Sequence, residues 1–351
     1  MRRGMRVVLG VALPFLGGLG CATPKLAYSP DELKAEVARR APGIPPAEIV
    51  VPFEIGEEQA AAARRVVAQG QTDTERTRAL VAAFFAGDGF HMRYAEGVTA
   101  DAEETLKSSE GNCLSLASVF VGLARAAGLR AYYIDASTRV HETRYGDGVT
   151  VNSGHVTAMV EAEGERIGLD FGRMGPIRWY RILDDLEALA HFYNNRGFES
   201  VERAQERSRQ PDWSRAAHDF WLAAQVVPTF APAWNNLGMA QTRLGRIDNA
   251  IADYRTAIAA APQLAAPRNN LGGLYLERGQ LGKALEALET AARLDPSGPH
   301  IQYNLALARL RRGDREGAVR ALRRAIDLRG GYPEAQAELD RLAIAPAGGG
   351  D

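Results

Sequence analysis

Apolar positions along the chain change their spacing twice, and the changes divide it into a mixed part and a purely helical part. Leu33 and Val37 sit at helical spacing in 30–40, with Ser29 placed as a cap before Pro30. Residues 49–55 read as an extended segment interrupted by Pro52, and two helices follow at about 57–69 and 73–85. An apolar run from Leu114 to Ala127-Gly128 predicts a helix that opens at Gly111-Asn112-Cys113 and stops at the glycine. Residues 130–135 are aromatic and β-branched enough for a strand, 137–153 read as a loop, and a second strand begins at His155. A two-residue turn at Glu163-Gly164 then pairs Val160 with Ile167, Ala158 with Leu169 and Val156 with Phe171, all apolar and on one face. The same register puts His155, Thr157 and Asp170 on the other face, with Asp170 opposite Thr157 and diagonal to His155, at roughly 7 Å between side-chain origins.

From about Tyr193 only helical spacing remains, and it repeats. Trp234, Leu237, Gly238, Ala250, Tyr254, Ala257 and Pro262 recur 34 residues later as Arg268, Leu271, Gly272, Ala284, Leu288, Ala291 and Pro296. A third copy gives Gln302, Leu305, Ala306, Ala318, Leu322, Ala325 and Gly330. This resembles the tetratricopeptide repeat, which implies an all-α solenoid of stacked helix pairs. An earlier, degenerate copy has a second helix marked by Ala216, Phe220, Ala223 and Pro228, with extra residues between Asn194 and Asp212. A closing helix is expected at 333–342 and a disordered tail at 343–351, for about 3.5 to 4 repeats across 193–342. Asn235, Asn236, Asn269, Asn270 and Asn304 fall at equivalent or adjacent places on first helices. They are candidates to hydrogen-bond a peptide backbone on the concave face, or to bond one helix to the next.

The chain has 351 residues, 46% hydrophobic and 24% charged, with a formal net charge of -1. That length suits two domains, and the charge balance gives no general case for a nucleic-acid partner. Six histidines and two cysteines show no metal-ligand spacing, so neither metal nor cofactor is expected.

Chemistry concentrates in Cys113, His155 and Asp170, the chain order of a thiol nucleophile, its base and the base's orienter. A thiol at a helix N-terminus meets unpaired amides and the positive end of the macrodipole, which favour the thiolate. The backbone amide of Cys113 is also an oxyanion donor. The core 106–170 resembles the transglutaminase-like superfamily, whose papain-like Cys-His-Asp triad falls on Cys113, His155 and Asp170. The family's frequent aromatic residue after the histidine is Val156 here, and its aromatic oxyanion helper has Tyr94 as its candidate. The fold implied for 30–192 is an α+β transglutaminase-like domain.

The first 21 residues combine Arg2, Arg3 and Arg6 with a short apolar stretch and small residues before Cys21, too short to span a bilayer. This resembles a bacterial lipoprotein signal, with Gly18 standing where an aliphatic residue is usual. The resemblance implies lipid on Cys21, a tether at 22–29, and a place in the cell envelope, on the outer membrane facing the periplasm. Cys113 is then a solitary thiol. Two functions follow as expectations. One is a thiol enzyme acting on amide or peptide bonds, with water or an amine as second substrate and a protein or peptide held by the repeats. The other is a catalytically idle adaptor on the same scaffold.

Overall fold

The computed structural model describes residues 25–136, 141–144, 150–153, 155–169, 171, 177 and 179–344. Cys21 and Asp170 lie outside them. The chain forms two compact units, residues 1–141 with 153–228 and residues 142–152 with 229–351.

The first unit opens with α1 (Pro30–Arg40), where Ser29 Oγ accepts from Glu32 N–H and the Glu32 carboxylate accepts in return from Ser29 N–H. This reciprocal cap satisfies two amides that the helix cannot. Then come α2 (Glu57–Val67), α3 (Asp73–Phe85), β1 (Arg93–Tyr94), α4 (Ala102–Ser108), β2 (Glu110–Gly111), α5 (Cys113–Ala126) and β3 (Arg130–Asp135). Two short strands, β4 (His141–Arg144) and β5 (Thr150–Ser153), fall mostly within the 142–152 segment of the second unit and form their own sheet in the stretch expected to be a loop. Thr143, Thr150 and Val151 supply the β-branched residues that favour strands there. β6 (Val156–Ala162), β7 (Glu165–Leu169) and β8 (Arg181–Leu183) complete a four-stranded antiparallel sheet in the order β7-β6-β3-β8.

The β6–β7 hairpin has the expected register, with Val160 opposite Ile167 and Ala158 opposite Leu169. Glu163 and Gly164 both have positive φ, 46° and 80°, as a two-residue hairpin turn of matching twist requires. α5 is buried on every side from Leu114 to Ala124, which explains its unbroken apolar sequence. It packs against β3 and β6 on one side and α2 and α4 on the other. Gly122 admits the segment around Phe53, because a Cβ there would strike the Phe53 carbonyl. Phe84, Phe120 and Phe171 meet with ring centres 5.3 to 6.1 Å apart, locking α3 and α5 to the residue that follows the hairpin by two.

α6 (Asp185–Glu206) is one helix of 22 residues that runs through the expected domain boundary at 192/193. Its start is fastened to the end of α5: Asp185 takes two hydrogen bonds from Arg125, at 2.7 and 2.9 Å, and a third from Tyr28 N–H at 2.8 Å. Its second half pairs with α7 (Trp213–Val226), where a Cβ on Gly197 would lie 2.9 Å from the Phe220 ring.

In the second unit α8 (Ala231–Arg243), α9 (Ile247–Ala260), α10 (Ala265–Glu277), α11 (Leu281–Leu294), α12 (Pro299–Arg312) and α13 (Arg315–Arg329) form three successive pairs, followed by α14 (Pro333–Ile344). Gly238 abuts Tyr254 and Gly272 abuts Leu288 as Gly197 abuts Phe220, each Cβ position falling under 3.0 Å from the facing side chain. The spacing explains the degenerate copy. Twenty-three residues separate Gly197 from Phe220, against 16 from Gly238 to Tyr254, so α6 and its loop carry the insertion while the close approach is kept.

Candidate active site

Cys113 is the first residue of α5, a free and half-buried thiol at the start of a helix that is buried from Leu114 to Ala124. The turn before it is held from several directions. Asn112 caps α5 by accepting from Ser115 N–H at 3.0 Å, and its own N–H donates to the Val98 carbonyl at 3.1 Å. Ser115 accepts from Ala100 N–H and donates to the Val98 carbonyl, at 2.9 and 3.0 Å. A side chain at Gly111 would meet Ser115 Cβ at 2.7 Å, so the residue type is set by this close packing.

Sequence reasoning missed the residue beneath that turn. Glu199 of α6, only 6% exposed, accepts from Thr99 N–H at 2.5 Å, Thr99 Oγ1 at 2.7 Å and Asn112 Nδ2 at 2.9 Å. Asn112 also donates to Thr99 Oγ1 at 2.6 Å. Burial pushes the Glu199 carboxyl up from the usual range, and the hydrogen bonds from Thr99 and Asn112 oppose it. Three donors aimed at one carboxylate favour the ionised form. The available signal was a glutamate among the buried positions of α6, between Gly197 and Val201.

His155 stands immediately before β6, its carbonyl accepting from Ala136 N–H at 2.9 Å. The imidazole is half-buried and its Nε2 is shielded from water. α5, which Cys113 opens, packs against β6, the strand that His155 immediately precedes. Thr157, on the strand face that the hairpin register assigns to His155, is fully buried and donates to the Leu169 carbonyl. Tyr94 pairs in parallel with Gly111, two residues before the thiol, and is 48% exposed, which leaves its ring accessible beside the turn. A second histidine of this unit, His191 on α6, is held down to about pKa 4 by burial and is neutral near pH 7.

In the second unit the asparagines bond helix to helix. Asn270 donates to Asn235 and Asn304 to Asn269, each at 2.9 Å. Asn269, Asn270 and Asn304 line a cleft of about 570 Å³ with Arg243 and Arg311. Asn235 and Asn236 are almost wholly buried and do not line it; Asn235 accepts from Asn270 across helices and donates to Asn236 within α8.

Residues 60–171 match the family described as the transglutaminase-like superfamily, and residues 229–297 and 269–333 match tetratricopeptide repeat families. The chain carries a transglutaminase-like core followed by tetratricopeptide repeats. The core match runs from within α2 to Phe171, and so contains the positions of Cys113, His155 and Asp170. No curated protein matches the chain. Similar solved structures include MamA, with 22% identity, 42% of this chain and 81% of that one covered, and a TM-score of 0.35. YrrB, described as a tetratricopeptide protein with an unusual peptide-binding site, has 20% identity, coverage of 44% and 78%, and a TM-score of 0.36. The pilF protein of Pseudomonas aeruginosa has 21% identity, coverage of 45% and 68%, and a TM-score of 0.40.

Proposed function

We propose that the transglutaminase-like core is a thiol enzyme acting on amide or peptide bonds, with the tetratricopeptide repeats holding the protein or peptide partner. The observation that carries this reading is the braced, half-exposed Cys113 at the N-terminus of a helix buried from Leu114 to Ala124. His155 takes the thiol proton as sulfur attacks the carbonyl carbon, and the first-turn amide of Cys113 receives the oxyanion, with Tyr94 beside it. Collapse of the adduct breaks the C–N bond, the amine leaves with the proton from the imidazolium, and a thioester remains on Cys113. Water then gives hydrolysis, whereas an amine gives acyl transfer. Asp170 orients the imidazole in this scheme. Acylated Cys21 would hold the chain at the cell envelope, on the outer membrane facing the periplasm.

The test offers the full chain an amide-containing peptide library with a labelled amine. Cleaved or labelled products are expected with the natural chain and absent with Cys113→Ala. Identical products from both would overturn the thiol reading. The repeat unit also permits a second reading, an idle adaptor, because its cleft of about 570 Å³ sets asparagine and arginine side chains beside leucines, a lining that suits a peptide. An adaptor would make no product, and Cys113→Ala would leave its captured partners unchanged.

A further inference from the structure

A second cleft in the first unit lies directly behind the Cys113 turn. Thr99 forms part of one wall, and the second half of α6 with the start of α7 forms the others, enclosing about 630 Å³. Its lining is cationic. Arg196 is already held by two hydrogen bonds from its guanidinium to Asp219, at 2.5 and 3.1 Å, and Arg203 donates through Nε to the Glu199 carbonyl at 3.2 Å. Arg207, Arg209 and Arg215 are exposed, and their side chains make no ion pair or hydrogen bond among the described residues. The lining carboxylates besides Asp219 are Glu104 and Asp212, and Asp212 already caps α7 by accepting from Arg215 N–H at 3.0 Å.

Setting aside the Arg196–Asp219 pair, four guanidinium groups in a concavity with two carboxylates leave an excess of positive charge that complements an anion. Arg203 lies in the last turn of α6 and Arg207, four residues on, is its C-cap residue. The planar fork of arginine matches carboxylate oxygens two at a time, and the cleft is far larger than a single inorganic anion needs. Thr99 is common to this cleft and to the network that braces Asn112, so an occupant touches the residue next to the catalytic turn.

We infer that this cleft binds an acidic peptide segment, carrying two or more carboxylate side chains, of the substrate whose amide meets Cys113. The word substrate rests on the proposed function, whereas the binding does not.

Binding is measured by fluorescence anisotropy on the full chain carrying Cys113→Ala, with a labelled glutamate-rich peptide, a lysine-rich peptide of equal length, and inorganic phosphate as competitor. The disruptive variant is Arg207→Glu with Arg215→Glu. Both side chains are exposed, and a glutamate in the first turn of α7 suits the helix dipole, so loss of folding does not confound the result. The control is Arg293→Glu with Arg320→Glu on the repeats, which changes net charge equally. The acidic peptide is expected to bind, to weaken by about tenfold or more in the disruptive variant but not in the control, and to weaken with added salt. Equal binding of the lysine-rich peptide, equal loss in the control, or displacement by phosphate at the peptide's own concentration would overturn the inference. Acidic-peptide binding without any Cys113-dependent product would sink the thiol reading alone.

Discussion

Glu199 shows how one side chain can decide the geometry of a site it does not enter. Its carboxylate accepts three hydrogen bonds, two from Thr99 and one from the residue before Cys113. Glu199→Gln keeps the shape, but its amide nitrogen must face a donor, so one of those bonds becomes a clash of donors. The expected cost is about 2 kcal/mol in urea unfolding of the first unit, with a loss of Cys113 reactivity that exceeds the unfolded fraction. Unchanged unfolding would show that the carboxylate does not brace the cap. This role was not legible in the sequence, because Glu199 and Asn112 lie 87 positions apart and meet only through tertiary packing. The capping pair of Ser29 and Glu32 was half legible for the opposite reason, since a cap at Ser29 needs only its neighbours. Asp170, the expected orienter, falls outside the described residues, and its role is a claim for mutation to test.

Elements were legible where a period had room to show itself. The hairpin register followed from alternation across Ala158, Val160, Ile167 and Leu169, since slipping by one residue would mix the two faces. β1 and β2 have two residues each, too few for any period, and the short α4 is set by its Asp101 cap more than by an apolar stripe. The repeats were legible through their glycines, whereas the surroundings of Asp253, which precedes Tyr254 as Asp219 precedes Phe220, were not. Its carboxylate oxygen Oδ2 is buried without a hydrogen bond among the described residues, and burial raises its pKa to about 7. A carboxyl raised from an unfolded value near 3.9 binds more protons in the folded state between the two values. The second unit therefore loses stability as pH rises from about 4 to about 7. In Asp253→Asn that loss disappears, so the Tm of the variant relative to the natural chain should climb by a few degrees over this range and then level off. A difference independent of pH would contradict the buried, titrating carboxyl.

At the scale of the molecule, α6 corrects the simplest division of the chain. Helical spacing sets a boundary at 192/193, but α6 passes through it and delivers both Glu199 to the Cys113 turn and Arg196 to Asp219 of α7. A fragment of residues 25–228 should therefore fold cooperatively, whereas 25–192 should aggregate or unfold at room temperature because the turn loses its brace. Equal Tm values for both fragments would return the boundary to 192/193. The charge balance shows the same limit of composition. A net charge of -1 conceals an arginine-lined cleft, because charge is read by a ligand where it is concentrated.

The central claim is that Cys113 is a nucleophile activated by His155. Its most direct test is the rate at which a thiol-reactive amide analogue forms a covalent adduct with the full chain at neutral pH, followed by intact mass. One adduct on Cys113 is expected in the natural chain, none there in Cys113→Ala, and formation slowed by about 100-fold or more in His155→Ala. Adduct formation in His155→Ala at the natural rate would contradict the claim.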